Sequence, residues 1–166
     1  LVSLINDLLD VCKVDAEKLE LREDLINVDQ LLESAAIMIQ ERAMTAGIEF
    51  VISSSFDLPS VYIDSKRITQ AILNLLSNAV KVTPRGRRFD LIAKKEKRGG
   101  VAILVTDNGV GIKEEDIPKA LTEFGQVGHG QDQNVPSTGL GLPLAKRLIE
   151  LHDGSLEIQS EYGMGT

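Results

Sequence analysis

Twelve of the 14 glycines in this 166-residue chain lie at or after Gly99, and only Gly47 and Gly86 come earlier. Glycine is the residue that allows sharp bends and close backbone approach. The first part of the chain is therefore left to regular helix and strand, and the second must contain loops that close on something. No internal repeat or low-complexity tract accompanies this asymmetry.

Hydrophobic spacing fills in the elements. Leu1, Leu4, Ile5, Leu8, Val11 and Cys12 recur at steps of three and four, the pattern of an amphipathic helix suited to a coiled-coil or bundle seam. That helix begins without a capping residue, as though cut from within a longer one. An extended stretch is expected over Arg22–Val28, with Asp29 as candidate N-cap of a helix over Gln30–Ala46 that Gly47 ends. Ile48–Ser53 and Val61–Asp64 read as strands, and a long helix fits Ser65–Val82 before Pro84. Phe89–Lys95 and Val101–Thr106 read as neighbouring strands around Gly99-Gly100. Residues 107–137 carry loop signals with at most a short helix near Lys113–Leu121. Thr138–His152 is helical, Ser155–Ser160 is a strand, and a glycine loop follows. Strands without regular βαβ alternation make the class α+β.

Composition narrows the partners. With 25 acidic and 18 basic residues the net charge is −7, and aromatics are 4% with no Trp. Neither a phosphate-neutralising face nor a base-stacking surface is provided, so nucleic acid is not expected. At 43% hydrophobic the chain can bury a core. One cysteine, Cys12, allows no internal disulfide and no cysteine metal cluster. No apolar run reaches bilayer length, which fits a soluble, cytoplasmic domain.

Three segments carry chemistry. Gln70, Asn74, Asn78 and Lys81 fall at i, i+4, i+8 and i+11 of the long helix, a polar stripe between the apolar faces of Ile68, Ile72, Leu75, Leu76 and Ala79. It is either a solvated helix face or a ladder aimed at a ligand. Asp107-Asn-Gly109-Val-Gly111 follows an apolar strand; it is either an Asp-Asn-Gly turn or an acid poised to accept from an exocyclic amine. Ser137-Thr138-Gly139-Leu140-Gly141 opens a helix, where freed N–H groups and the helix dipole suit phosphate; a plain hinge is the other reading. The last segment lacks the Gly-Lys-Ser/Thr of a P-loop and the surrounding βαβ unit of a dinucleotide fingerprint.

In their order, Asn74…Asn78-Ala-Val-Lys81, Asp107-Asn-Gly-Val-Gly111 and Thr138-Gly139-Leu-Gly141-Leu resemble the N, G1 and G2 boxes of sensor histidine kinases. Phe124-Gly-Gln resembles the F box, and Gly163-Met-Gly165-Thr166 a final glycine box. Residues 4–19 are similar to the end of the second helix of the family's dimerisation and phosphotransfer hairpin. Phe124-Gly-Gln-Val and Leu140-Gly-Leu-Pro-Leu-Ala-Lys look most like bacterial hybrid or PAS-linked sensor kinases.

The resemblance implies a two-layer α/β sandwich of the type shared with gyrase, Hsp90 and MutL: a mixed sheet with about three helices on one face, preceded by one helix. Residues 1–21 would end the phosphotransfer hairpin, and 22–166 would form the ATP-binding catalytic domain, with a lid over about 112–137. It further implies that Asp107 accepts from the adenine amine, with Gly109 and Gly111 admitting the ring. Asn78, assisted by Asn74, would hold Mg²⁺ through the phosphates, Lys81 would meet phosphate, and Thr138, Gly139, Leu140 and Gly141 would close over the triphosphate. ATP-hydrolysing relatives carry a glutamate as general base where Asn74 stands, and an amide cannot take that proton. A gyrase-like ATPase is therefore disfavoured.

The implied activity is delivery of the γ-phosphoryl group of MgATP to a histidine upstream of this segment, for relay to a response-regulator receiver domain. The alternative is a pseudokinase that senses nucleotide or docks partners without transfer. Of the two histidines, His129 reads as a loop residue and His152 as a capping or packing residue, so self-phosphorylation is not expected. A homodimer through residues 1–19 is a further expectation. Val82 stands where an aromatic is usual, Glu123 where proline is and Ser137 where glycine is. Arg87-Arg88 replaces a glycine-rich turn, and no ligand role follows for it.

Overall fold

The computed structural model describes residues 19–97, 99–125 and 139–166. The amphipathic stretch before Leu19, the tip of the expected lid with His129, and Thr138 lie outside the described residues.

Strand β1 (Asp24–Ile26) leads into helix α1 (Val28–Ala46). The cap is Asn27, not Asp29: its extended backbone lets the side-chain oxygen accept from the Gln30 N–H at 3.1 Å. Two capping residues stand two positions apart here, and burial of Val28 decides between them by drawing the first turn two residues earlier. Asp29 instead sits in the first turn, where its charge complements the helix dipole. Gly47 ends the helix at φ 68°, with its N–H on Met44 O and the Ile48 N–H on Ala43 O, the paired bonds of a Schellman cap.

Strands β2 (Glu49–Ser54) and β3 (Val61–Ile63) follow, then helix α2 (Ser65–Val82). Asp64 caps α2, accepting from the Arg67 N–H at 3.1 Å, and Thr83 leaves it in extended conformation ahead of Pro84. Strands β4 (Arg88–Lys95) and β5 (Val101–Asp107) form the hairpin. A 3₁₀ turn at Glu114–Asp116 and the single turn α3 (Ile117–Ala120) match the short helix expected there. Helix α4 spans Gly141–Glu150, a shorter element than the expected Thr138–His152.

The strands divide into an antiparallel pair β1–β3 and a mixed sheet ordered β2-β4-β5, with β4 parallel to β2 and antiparallel to β5. The class is α+β as expected. Phe89, Leu91 and Ala93 alternate along central β4 with no exposure, and Phe89 stacks on Phe50 with ring centroids 4.6 Å apart. They meet Leu32, Ala35 and Ile39 of α1 and Ile72, Leu76 and Ala79 of α2 in the main core. A second cluster joins Ala71 and Leu75 of α2 to Leu140, Leu144, Ala145 and Leu148. Helix α2 is thus held on both flanks, by α1 and by α4.

Residues 155–160 form no strand ladder, contrary to expectation. Leu156 and Ile158 do alternate inward, but the pairing recorded beyond them is an isolated bridge, Glu161 with Gly165. Alternation reports which face is buried, not whether a neighbouring backbone lies in register.

Candidate functional site

The polar stripe of α2 divides. Gln70 accepts from Arg67 Nη1 at 3.2 Å and, with Asn74, lines a groove of about 870 Å³ between α1 and the first half of α2. Asn74 is half-buried, and its side-chain nitrogen is buried with no hydrogen-bond partner among the described residues. An unpaired buried amide costs about 1–3 kcal/mol, so this atom is placed for something other than stability. Asn78 lies one turn on, half-buried, and Lys81 is exposed in the last turn.

Both glycine segments close on this helix. A Cβ built on Gly141 would stand 3.8 Å from Asn78 Nδ2, 3.9 Å from Asn78 Oδ1 and 3.9 Å from Asn74 Cβ. The start of α4, which has no side-chain cap among the described residues, therefore opens directly beside the amide ladder. A Cβ on Gly109 would strike the Val82 carbonyl and come within 2.7 Å of Asp107 Oδ1, so the turn after β5 abuts the end of α2 and tolerates no side chain there. Phe124 joins the group: its N–H donates to the Gly139 carbonyl at 3.1 Å. Three stretches far apart in sequence thus meet around one helix.

Other expected residues are placed differently. Leu140 has no exposure and packs its side chain into the second core cluster, which leaves only its backbone to face a ligand. Gly111, at φ 65°, approaches the chain's own backbone at Glu161. Thr138 lies outside the described residues.

Asp107 ends β5, its backbone doubly bonded to Thr166 and its Oδ1 accepting from the Gly109 N–H at 2.8 Å. Burial pushes its carboxyl above the ordinary value, against the opposing pull of the Gly109 and Thr166 N–H groups. A half-buried carboxylate with one oxygen fixed by backbone can accept a further hydrogen bond from a donor placed beside it.

Asp64 was not singled out by sequence, although an acid just before a helix is a recognisable start signal. It is 7% exposed and gathers three elements. Its carboxylate accepts from the Arg22 N–H at 2.9 Å and the Arg67 N–H, and its own N–H donates to His152 Nε2 at 3.1 Å. Burial would raise its carboxyl, but the two N–H donors with the charge of Arg67 outweigh that and hold it below the ordinary value. His152 Nδ1 lies 2.7 Å from the Leu148 carbonyl, so that nitrogen carries the proton. Packing accounts for His152.

The family model described as histidine kinase-, DNA gyrase B-, and HSP90-like ATPase matches residues 63–166. The chain belongs to that family, and α2 with both glycine segments falls inside the match. Among curated proteins it is 38% identical over 169 residues to the non-motile and phage-resistance protein of Caulobacter vibrioides, covering 100% of this chain and 20% of that protein. It is 36% identical over 166 residues to the histidine protein kinase DivJ of the same species, covering 100% and 28%. To the cell-division control histidine kinase PdhS of Brucella ovis it is 34% identical over 175 residues, covering 99% and 17%. The chain thus spans less than a third of these relatives. Among solved structures it resembles full-length ShkA in complex with AMPPNP, with TM-score 0.87 and 31% identity over 98% of this chain and 33% of that one. The fold is shared with histidine kinase ThkA in complex with response regulator TrrA, at TM-score 0.69 and 22% identity, covering 92% and 42%.

Among the described residues no helix is long and apolar enough to cross a membrane.

Proposed function

We propose that this chain is the catalytic part of a sensor histidine kinase, which binds MgATP and presents its γ-phosphoryl group to a histidine upstream of the segment. The observation that carries this is the approach of Gly141 and Gly109 to α2, with a helix N-terminus beside Asn74 and Asn78 and an acid-bearing turn against Val82 at the end of the same helix. Residues 22–166 form the nucleotide-binding unit in this reading, and residues 1–21 end the phosphotransfer hairpin.

Each residue has a part. Asp107 accepts from the adenine amine, beside Gly109; Gly111 supports that turn through the C-terminal loop. Lys81 meets phosphate as a point charge. The backbone of Gly139, Leu140 and Gly141, with Thr138, cradles the triphosphate at the start of α4. Asn78 and Asn74 offer amide oxygens of the hard, neutral kind that suits Mg²⁺, while the Asn74 side-chain nitrogen, buried without a partner among the described residues, is a donor that suits a phosphate oxygen rather than the metal. Among the described residues no group of three His, Cys, Asp or Glu side chains is assembled, so a metal here would be held largely through phosphate oxygens. When bound, Mg²⁺ supplies neutralising charge to those oxygens. The transfer itself forms a P–N bond to the acceptor imidazole and breaks the bond from the γ-phosphorus to the oxygen shared with ADP. The protein's part is positioning and charge stabilisation. Asn74 supplies no general base for water, which favours transfer over hydrolysis.

ShkA was crystallised with AMPPNP and ThkA with TrrA; by analogy the chain's partners are ATP, its own phosphotransfer helices and a response-regulator receiver domain on the cytoplasmic side. Residues 1–19 are proposed to support a homodimer. The test is transfer of labelled γ-phosphate to a separately supplied complete hairpin. Wild type should label it and Asn78→Ala should not. ATP binding without any labelling would make the domain a pseudokinase, and steady phosphate release would make it an ATPase.

A further inference from the structure

Arg87 and Arg88 are exposed at the entry to β4 with no evident ligand role, yet bonds from both reach one residue beside Asp107. Arg87 Nη1 donates to the Asn108 carbonyl at 2.6 Å. Asn108 in turn accepts from the Arg88 N–H on Oδ1 at 2.9 Å and donates its own N–H to the Arg88 carbonyl at 3.2 Å. The start of β4 therefore grips the turn that follows β5.

The Asn108 carbonyl and the Gly109 N–H belong to one planar peptide unit, which moves as a body. That same N–H donates to Asp107 Oδ1 at 2.8 Å. A guanidinium on the carbonyl oxygen polarises the peptide and strengthens its N–H as a donor, since chained hydrogen bonds reinforce one another. The relay thus runs from a cation through one peptide to one carboxylate oxygen. Gly109 cannot yield toward α2, because the Val82 carbonyl fills the space a Cβ would take. On the opposite side Thr166 pairs with the Asp107 backbone and Gly165 lies hard against it. Those contacts fix the Asp107 main chain, whereas the relay fixes its side chain.

We propose that Arg87 is a positioning residue for base recognition, which orients the Asp107 carboxylate toward the adenine amine through the Asn108–Gly109 peptide. The inference rests on the nucleotide reading above. Arg87 itself touches no part of the base.

The test compares binding of ATP with binding of purine riboside triphosphate, which lacks the exocyclic amine, by calorimetry on the full chain. Wild type should prefer ATP. Arg87→Ala should lower ATP affinity about three- to tenfold, the low end for a charge-assisted bond because Arg87 is exposed, and leave the purine analogue within about twofold. Arg87→Lys, which keeps a cationic donor, should restore part of the preference. If Arg87→Ala melts at working temperature, Arg87→Gln serves instead and should give an intermediate ratio. An equal loss for both nucleotides, or an unchanged ratio, overturns the role of Arg87. Asp107→Asn separates the two levels of the argument. If wild type binds neither nucleotide, or if Asp107→Asn leaves the ratio intact, the nucleotide reading fails and takes this inference with it. If Asp107→Asn abolishes the preference while Arg87→Ala does not, only Arg87 is wrongly assigned.

Discussion

Replacing Gly141 by alanine separates packing from ligand binding at the start of α4. Among the described residues the nearest atoms to the added Cβ would be those of the Asn78 and Asn74 side chains, at 3.8–3.9 Å, which is ordinary contact. Gly141 has no positive φ, so alanine fits its backbone without strain. Such a change commonly stabilises by about 0.4–1 kcal/mol, chiefly by restricting the unfolded chain. For a domain of this size that is a rise in melting temperature of roughly 1–4 °C. The methyl group nevertheless occupies the gap between the helix start and the amide ladder, where the phosphates are proposed to lie. Losing a close N–H contact to phosphate there should weaken ATP binding about tenfold, equivalent to ~1.4 kcal/mol. Differential scanning fluorimetry and calorimetry on one preparation read both effects. The expected result is a protein that melts higher and binds worse. Unchanged ATP affinity would remove α4 from the nucleotide site, and a lower melting temperature would mean that α4 and α2 pack more tightly than these distances allow.

Three further outcomes follow from the same geometry. Asp64→Ala removes the cap of α2 and the acceptor for Arg22, and should cost about 1–2 kcal/mol at neutral pH in urea melts. Because the folded state lowers the Asp64 carboxyl, its contribution is present above the ordinary carboxylate value of 3.8 and is lost as pH falls through the folded value; the variant should lose that part of the acid dependence. Asp107 has the opposite sign: burial raises its carboxyl, so ionising it opposes folding as pH climbs above 3.8, and Asp107→Asn should be at least as stable as wild type at pH 7 while losing adenine preference. Leu148→Ala, at a fully buried position of the cluster that docks α4 on α2, should destabilise by about 2–5 kcal/mol in equilibrium unfolding.

Local punctuation made much of the fold legible. The end of α2 followed from Pro84 after it, and Gly47 closed α1 as expected. Where two signals competed, burial decided, as with Asn27 over Asp29. The stretch 155–160 shows the limit of alternation, since Ile112 donates its N–H to the Ser160 hydroxyl rather than to a strand partner. In the site, the types and order of Asn74, Asn78, Asp107 and Gly141 were readable because each motif is local. The contacts that join them were not. Arg87 meets Asn108 across 21 residues, and Asp64 meets His152 across 88. Neither pairing has a spacing rule, because both depend on how strands and helices register after packing.

The account stands or falls on whether one ligand touches all three segments. Amide resonances followed by NMR during titration with a non-hydrolysable ATP analogue and Mg²⁺ test this directly. Asn74 and Asn78 of α2, Asp107 and Gly109 after β5, and Gly139 and Gly141 at the start of α4 should shift together along a single binding isotherm. Shifts confined to one of the three segments, or separate isotherms for each, would contradict the shared site.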